Sequence, residues 1–216
     1  MVKIKVLDIG GVKIAWFSHS SFRLEYDGKL IYIDPYEIKL NEKADIILIT
    51  HGHYDHCSVA DLKRLVKEDT LIITTPDTTS KLSGKIEGGS LKLVKPHMKF
   101  EAKGFQIQTV PAYNIEKAFH PRDNDWVGYL ITINNITIYH AGDTDLIPEM
   151  DNISADVALL PVSGTYVMTA EEAAQAVKKI MPKLAIPMHY GKIVGTKDDA
   201  IKFQERCYFC PVKIMG

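Results

Sequence analysis

Ile46-Ile47-Leu48-Ile49-Thr50-His51-Gly52-His53-Tyr54-Asp55-His56 is the stretch around which the chain is organised. Its four leading apolar residues suit a short buried strand, and the polar cluster follows directly at the strand's exit. Three of the chain's eight histidines fall within six residues here, joined by one aspartate. Imidazole and carboxylate donors suit zinc, and also iron or manganese. In an extended segment His51 and His53, two apart, point the same way. Asp55 and His56 then sit across a turn and face a second metal close to the first.

The same arrangement recurs twice. Ile138-Tyr139-His140-Ala141-Gly142-Asp143-Thr144-Asp145 is again a strand that ends in a glycine turn with a carboxylate at the exit. Leu184-Ala185-Ile186-Pro187-Met188-His189 delivers a histidine from a third apolar run.

Between these points the chain alternates strands and helices. Residues 2–7, Val12–Phe17, Phe22–Tyr26 and Leu30–Ile33 read as strands, with Asp27-Gly28 a hairpin turn. Ser58 is placed as the N-cap of a helix whose apolar residues are Val59, Leu62, Leu65 and Val66. Leu71–Ile73 suits a parallel strand, Pro76–Leu82 a short helix or turn, and residues 84–90 a loop. Strands are expected at Leu91–Val94, Met98–Glu101, Phe105–Val110, Val127–Ile133 and Ile136–Tyr139, the last two joined by Asn134-Asn135. Val157–Leu160 and Leu184–Pro187 enclose a helix opened by the capping box Thr169-Ala170-Glu171-Glu172 and stopped at Met181-Pro182. Asp198–Cys207 suits a helix, and Pro211–Met215 an edge strand or tail. No Pro/Gly/Ser-rich linker divides the chain, so residues 1–216 are expected to form a single domain.

His-x-His-x-Asp-His after a buried strand resembles the metal-binding motif of the metallo-β-lactamase superfamily. The resemblance covers nearly the whole chain and implies an α+β fold, a four-layer αββα sandwich of two mixed sheets with helices outside. It implies His51, His53, Asp55, His56, Asp143 and His189 as metal ligands, with Asp143 bridging two metals and His189 completing the second. The family's third histidine for the first metal is expected where Asn114 stands. Either that site keeps two histidines plus water, or His120 supplies the missing ring; His120 is otherwise placed as an active-site acid. Asp34 matches the family's early aspartate, which orients the ligand loop, and His19 is placed near the metals as a pocket residue. The segments around Ser18-His19-Ser20-Ser21 and Tyr32-Ile33-Asp34-Pro35 look like the group of metal-dependent hydrolases that contains ascorbate-6-phosphate lactonase.

Two Zn2+ ions, with Mn2+ or Fe2+ as alternatives, would share a hydroxide that attacks a small ester, lactone or phosphoester, with Asp55 orienting it. Two other classes stay open: an iron-dependent enzyme of sulfur dioxygenase type, and a non-catalytic metal-dependent binding or sensor protein. Lys plus Arg total 26 against 27 Asp plus Glu, so nucleic acid is not an expected partner. No apolar run reaches the ~18 residues of a membrane span, and the N-terminus does not read as a signal peptide. Three cysteines argue against a disulfide framework. Cys57 reads as a small buried residue, and Cys207-Tyr208-Phe209-Cys210 as core packing or a labile thiol pair. A cytoplasmic protein acting on a small molecule is the expectation, and self-association is left open.

Overall fold

The computed structural model describes residues 5–216, which divide into two compact units, one ending at Val94 and the other Lys95–Gly216. Of the strand expected over residues 2–7, residues 2–4 lie outside the described residues.

The first unit is built on β1 (Val6–Ile9), β2 (Val12–Ser18), β3 (Ser21–Tyr26), β4 (Lys29–Ile33) and β5 (Ile46–Leu48). It continues with α1 (Val59–Leu65), β6 (Leu71–Thr74), a 3-10 turn (Pro76–Thr78), α2 (Thr79–Leu82) and β7 (Ser90–Leu93). Its seven strands lie in sequence order, β1 to β4 antiparallel and β4 to β7 parallel. Tyr32, Ile47 and Ile72 lie in register across three strands and belong to a buried cluster that also takes Leu62 and Leu65 of α1. Burying each such side chain contributes about 1.5–3 kcal/mol, which explains why a helix of two turns holds its place. Ser58 caps that helix as expected, accepting the Asp61 N–H at 3.3 Å.

The second unit repeats the plan. β8 (Lys99–Ala102), β9 (Phe105–Pro111), β10 (Val127–Ile133) and β11 (Ile136–His140) are antiparallel. β12 (Val157–Pro161) and β13 (Leu184–Met188) then add in parallel, giving the order β13-β12-β11-β10-β9-β8. α3 (Ala170–Ile180) and α4 (Lys197–Arg206) flank β13 in the chain. Asn134 (φ 49°) and Asn135 (φ 61°) make the two-residue turn between β10 and β11, which needs positive φ at both positions. Gly128 has a different reason: a Cβ there would stand 2.8 Å from the carbonyl oxygens of His140 and Ala141. The capping box is present, with Thr169 N–H donating to Glu172 Oε2 at 2.7 Å and Glu172 N–H to Thr169 Oγ1 at 3.1 Å. Met181 ends α3 in the left-handed region (φ 52°).

Of the two alternatives for Pro211–Met215 the tail is found, with Val212 bridging Ala185 at the edge of β13, Ala185 N–H donating to Pro211 O and Lys213 N–H to Ala185 O. One expectation changes: the ligand stretch is not extended from His51 on, because bends and turns take over. Among the described residues no helix is long and apolar enough to cross a membrane.

Asp156 ties the starts of β11, β12 and β13 together. Its carboxylate accepts the Thr137 N–H at 2.8 Å and pairs with Lys183 Nζ at 2.8 Å, while its carbonyl accepts the N–H groups of Lys183 and Leu184. The Lys183 hydrogen bond, then the Thr137 N–H, hold its pKa below the ordinary carboxylate value. A depressed folded-state pKa means the stabilisation is complete above the unfolded value of about 3.9 and is lost as pH falls through the lower folded one. Asp156→Ala is therefore expected to lower unfolding free energy by about 1–2 kcal/mol at pH 7 in urea titrations. The deficit should shrink below pH ~4; parallel pH profiles for the two proteins would refute this assignment.

Candidate functional site

In the first unit every candidate side chain sits at one edge of the sheet, where β4, β5 and β6 end and the β2–β3 hairpin turns. Asp34 follows β4 with φ 44°, fully buried, its N–H bonded to Leu48 O at 2.9 Å. A buried carboxylate must be hydrogen-bonded to stay charged, and Asp34 has three partners. Thr50 N–H donates to Oδ1 at 2.8 Å, the Thr50 hydroxyl to Oδ2 at 2.7 Å, and His56 Nδ1 lies 2.7 Å from Oδ2.

These partners fix the protons. Thr50 has one hydroxyl proton, which goes to the carboxylate, so toward His51 Nδ1 at 2.9 Å it is the acceptor. Both His51 and His56 are thus assigned the proton on Nδ1, from the hydrogen-bond network. Their Nε2 lone pairs point onward. His51 Nε2 lies 3.0 Å from His53 Nδ1, and His56 Nε2 lies 3.3 Å from Asp55 Oδ2. His19, in the hairpin turn with φ 50°, brings Nε2 to 3.2 Å from the same Asp55 oxygen. The donor atoms of His19, Asp55 and His56 lie within 4.8 Å of one another.

His51 and His53 do come together, but not by strand alternation. Their rings meet at 4.7 Å in a segment that bends through residues 51–53 and then turns, with the N–H groups of His56 and Cys57 both donating to His53 O.

In the second unit the exits of β9, β11, β12 and β13 supply the second cluster. Asp143 Oδ2 lies 3.0 Å from His189 Nε2 and 3.2 Å from His120 Nε2. His189, at φ 60°, has Nδ1 2.9 Å from Ser163 Oγ. His120 Nδ1 faces two acceptors, Asn114 Oδ1 at 3.0 Å and Tyr166 O at 3.1 Å, so its proton is on Nδ1. Its Nε2 lone pair then faces a carboxylate oxygen, a contact that is repulsive without positive charge beside it.

Asn114 is tied to His120. Its Oδ1 accepts both the His120 N–H and the His120 ring, and its Nδ2 donates to Asp145 Oδ1 and Tyr166 O. Asn114 thus orients the ring of a histidine six residues on. Ser163 and Thr50 were not singled out as functional from sequence; a hydroxyl at a buried strand's exit is the signal that could have found them. Tyr166 enters through its carbonyl, and its ring meets Phe119 edge to face at 4.5 Å. His140 is buried, and its Nδ1 accepts the Gly142 N–H at 3.2 Å. His97 is exposed on the loop before β8.

The chain belongs to the β-lactamase superfamily domain family, whose match spans residues 13–189. It is a metal-dependent hydrolase, and its His/Asp clusters are of a kind able to bind metal. It is 33% identical to the UPF0173 metal-dependent hydrolase Ta0764 of Thermoplasma acidophilum over 210 residues, 89% of each chain. A crystal structure of a Parabacteroides distasonis protein assigned as a metal-dependent hydrolase matches with a TM-score of 0.85 and 32% identity, over 99% of this chain and 98% of that one. Igni18, a metallo hydrolase of Ignicoccus hospitalis, matches with a TM-score of 0.78 and 28% identity over 94% of both chains. These likenesses establish the α+β sandwich class expected from the sequence.

All three cysteines are free thiols. Burial pushes the Cys57 thiol up to about 11, and burial followed by the charge of Cys207 pushes Cys210 up to about 12. Since the thiolate is the reactive form, Cys57 and Cys210 are expected to resist a thiol-labelling reagent at pH 8 in the folded protein and to react at once in denaturant. Rapid labelling of Cys57 in the native state would contradict this.

Proposed function

We propose that the chain hydrolyses a small ester, lactone or phosphoester with the help of bound metal, for which the first unit offers His51, His53, Asp55 and His56 and the second unit His120, Asp143 and His189. The observation that supports this most is the proton assignment: the distal nitrogens of His51, His56 and His120 are given to oxygen acceptors, which turns the other nitrogen outward as a lone pair. Metal-ligating histidines need this support from behind, and Asp34, Thr50, Asn114 and Ser163 are placed to give it. The donors are imidazole and carboxylate with no thiolate, a set that suits Zn2+ first and also Mn2+ or Fe2+.

When bound, the metals supply Lewis-acid activation of water and of the attacked carbonyl or phosphoryl oxygen. The chain's own groups do the rest. Asp55 has His19 Nε2, a possible donor, 3.2 Å from its Oδ2, and as a carboxylate it can hold the proton of an attacking water. His19 steadies Asp55 from the hairpin turn. His120 fits better as a metal ligand than as an acid, because its Nδ1 proton is shared between Asn114 Oδ1 and Tyr166 O.

The test is metal content per chain on protein purified without chelator, followed by turnover of aryl esters, lactones (a phosphorylated lactone included) and phosphodiesters with each metal. Two metals per wild-type chain and turnover of at least one class are expected. His120→Ala should lose one metal, and Asn114→Ala and Thr50→Val should keep the ligands but bind metal about 10–100-fold more weakly. A full metal complement in His120→Ala would remove it from the ligand set. No turnover of any class with any of the three metals would overturn the proposed substrate range.

A further inference from the structure

Gly52 stands between His51 and His53, and both of its polar backbone groups are held by side chains from elsewhere in the unit. Its N–H donates to Asp77 Oδ2 at 2.8 Å, and its carbonyl accepts from Lys81 Nζ. Asp77 lies in the 3-10 turn that follows β6, and Lys81 lies four residues on, in α2. Asp77 is itself fixed, its Oδ1 accepting the Thr75 hydroxyl at 2.6 Å. The approach is close: a Cβ at position 52 would stand 2.4 Å from Asp77 Oδ2 and 3.2 Å from its Cγ, so any larger residue would displace that carboxylate.

A hydrogen bond to an N–H fixes the peptide plane before a residue, and one to its carbonyl fixes the plane after it. Asp77 and Lys81 together therefore fix the His51–Gly52 and Gly52–His53 peptides. These two planes set the directions in which the His51 and His53 side chains leave the backbone, and hence the 3.0 Å approach of His51 Nε2 to His53 Nδ1. His51 is also held through Thr50 at 2.9 Å, so loss of the clamp falls chiefly on His53.

We infer that Asp77 and Lys81 are positioning residues that set the spacing of His51 and His53 by clamping the Gly52 backbone between them. The inference rests on the reading of those two histidines as metal ligands. It assigns a role at the site to an aspartate and a lysine that act through the Gly52 backbone.

The experiment uses the full chain stripped of metal and titrated with Co2+ against a chromophoric chelator, with the visible d–d spectrum recorded at each step. Thermal unfolding of the metal-free proteins runs in parallel. Asp77→Ala is expected to weaken one Co2+ by about tenfold or more and to change its d–d bands, with the metal-free Tm close to wild type. Asp77→Asn keeps an oxygen able to accept the Gly52 N–H, and should recover most of the affinity and the wild-type bands. Lys81→Met keeps the aliphatic stem, removes the ammonium, and should weaken the same Co2+.

Wild-type affinity and spectrum in both Asp77→Ala and Lys81→Met would overturn the clamp, as would an affinity loss in Asp77→Ala that tracks a fall in metal-free Tm. If Asp77→Ala does not fold, unchanged affinity and spectrum in Lys81→Met overturns it. Wild-type protein that binds no Co2+, or His53→Ala with both Co2+ ions and their bands intact, would instead sink the ligand reading on which the clamp rests.

Discussion

The Asp34 carboxylate is the group on which the first cluster depends. It is fully buried, and a buried charge is tolerated only when hydrogen-bonded on every side. Meeting that requirement draws in the Thr50 N–H, the Thr50 hydroxyl and His56 Nδ1. The Thr50 hydroxyl, having donated once, can only accept from His51. One carboxylate thereby decides which nitrogen of two histidines carries the proton, one directly and one through a threonine. The second cluster reaches the same end with uncharged groups, the Asn114 amide oxygen and the Tyr166 carbonyl behind His120.

The sheets explain why these groups meet. β4, β5 and β6 run parallel, so Asp34, the His51–His56 turn and Asp77 all leave from the same edge. β11, β12 and β13 run parallel, so Asp143, Ser163 and His189 do likewise. Sites outside the carboxyl ends of parallel strands are the general rule for such sheets, since successive loops crowd there and leave a crevice. The chain accepts local strain at these two edges: His19 and Asp34 in the first unit and His189 in the second have positive φ without being glycine. Left-handed backbone at such residues costs about 1–3 kcal/mol each and persists where surrounding bonds over-determine it, as the bonds to Asp34 do.

Much of this was legible in the sequence, and the reason is local. A strand that exits into His51, Asp143 or His189 announces a site with residues adjacent in the chain, and the capping box at Thr169 needs only four residues to be seen. What could not be read depends on contacts across the fold. Asn114 looked like a defect where a histidine belongs; its real task appears only when the loop folds back and sets His120 against its oxygen. Asp77 lies 25 positions from Gly52, and neither residue type nor spacing joins them. The alternation of His51 and His53 suggests strand geometry, whereas the rings meet where the chain bends through residues 51–53.

The central claim is that distal hydrogen bonds fix which ring nitrogen of each candidate histidine is left for a metal. Long-range proton–nitrogen correlation spectra of the metal-loaded, nitrogen-15 histidine-labelled protein measure this directly, with signals assigned by single histidine substitutions. The account predicts His51, His56 and His120 as Nδ1–H tautomers, each with Nε2 carrying the shift of a metal-bound nitrogen. A proton on Nε2 of His56 or His120 in the loaded protein would contradict it.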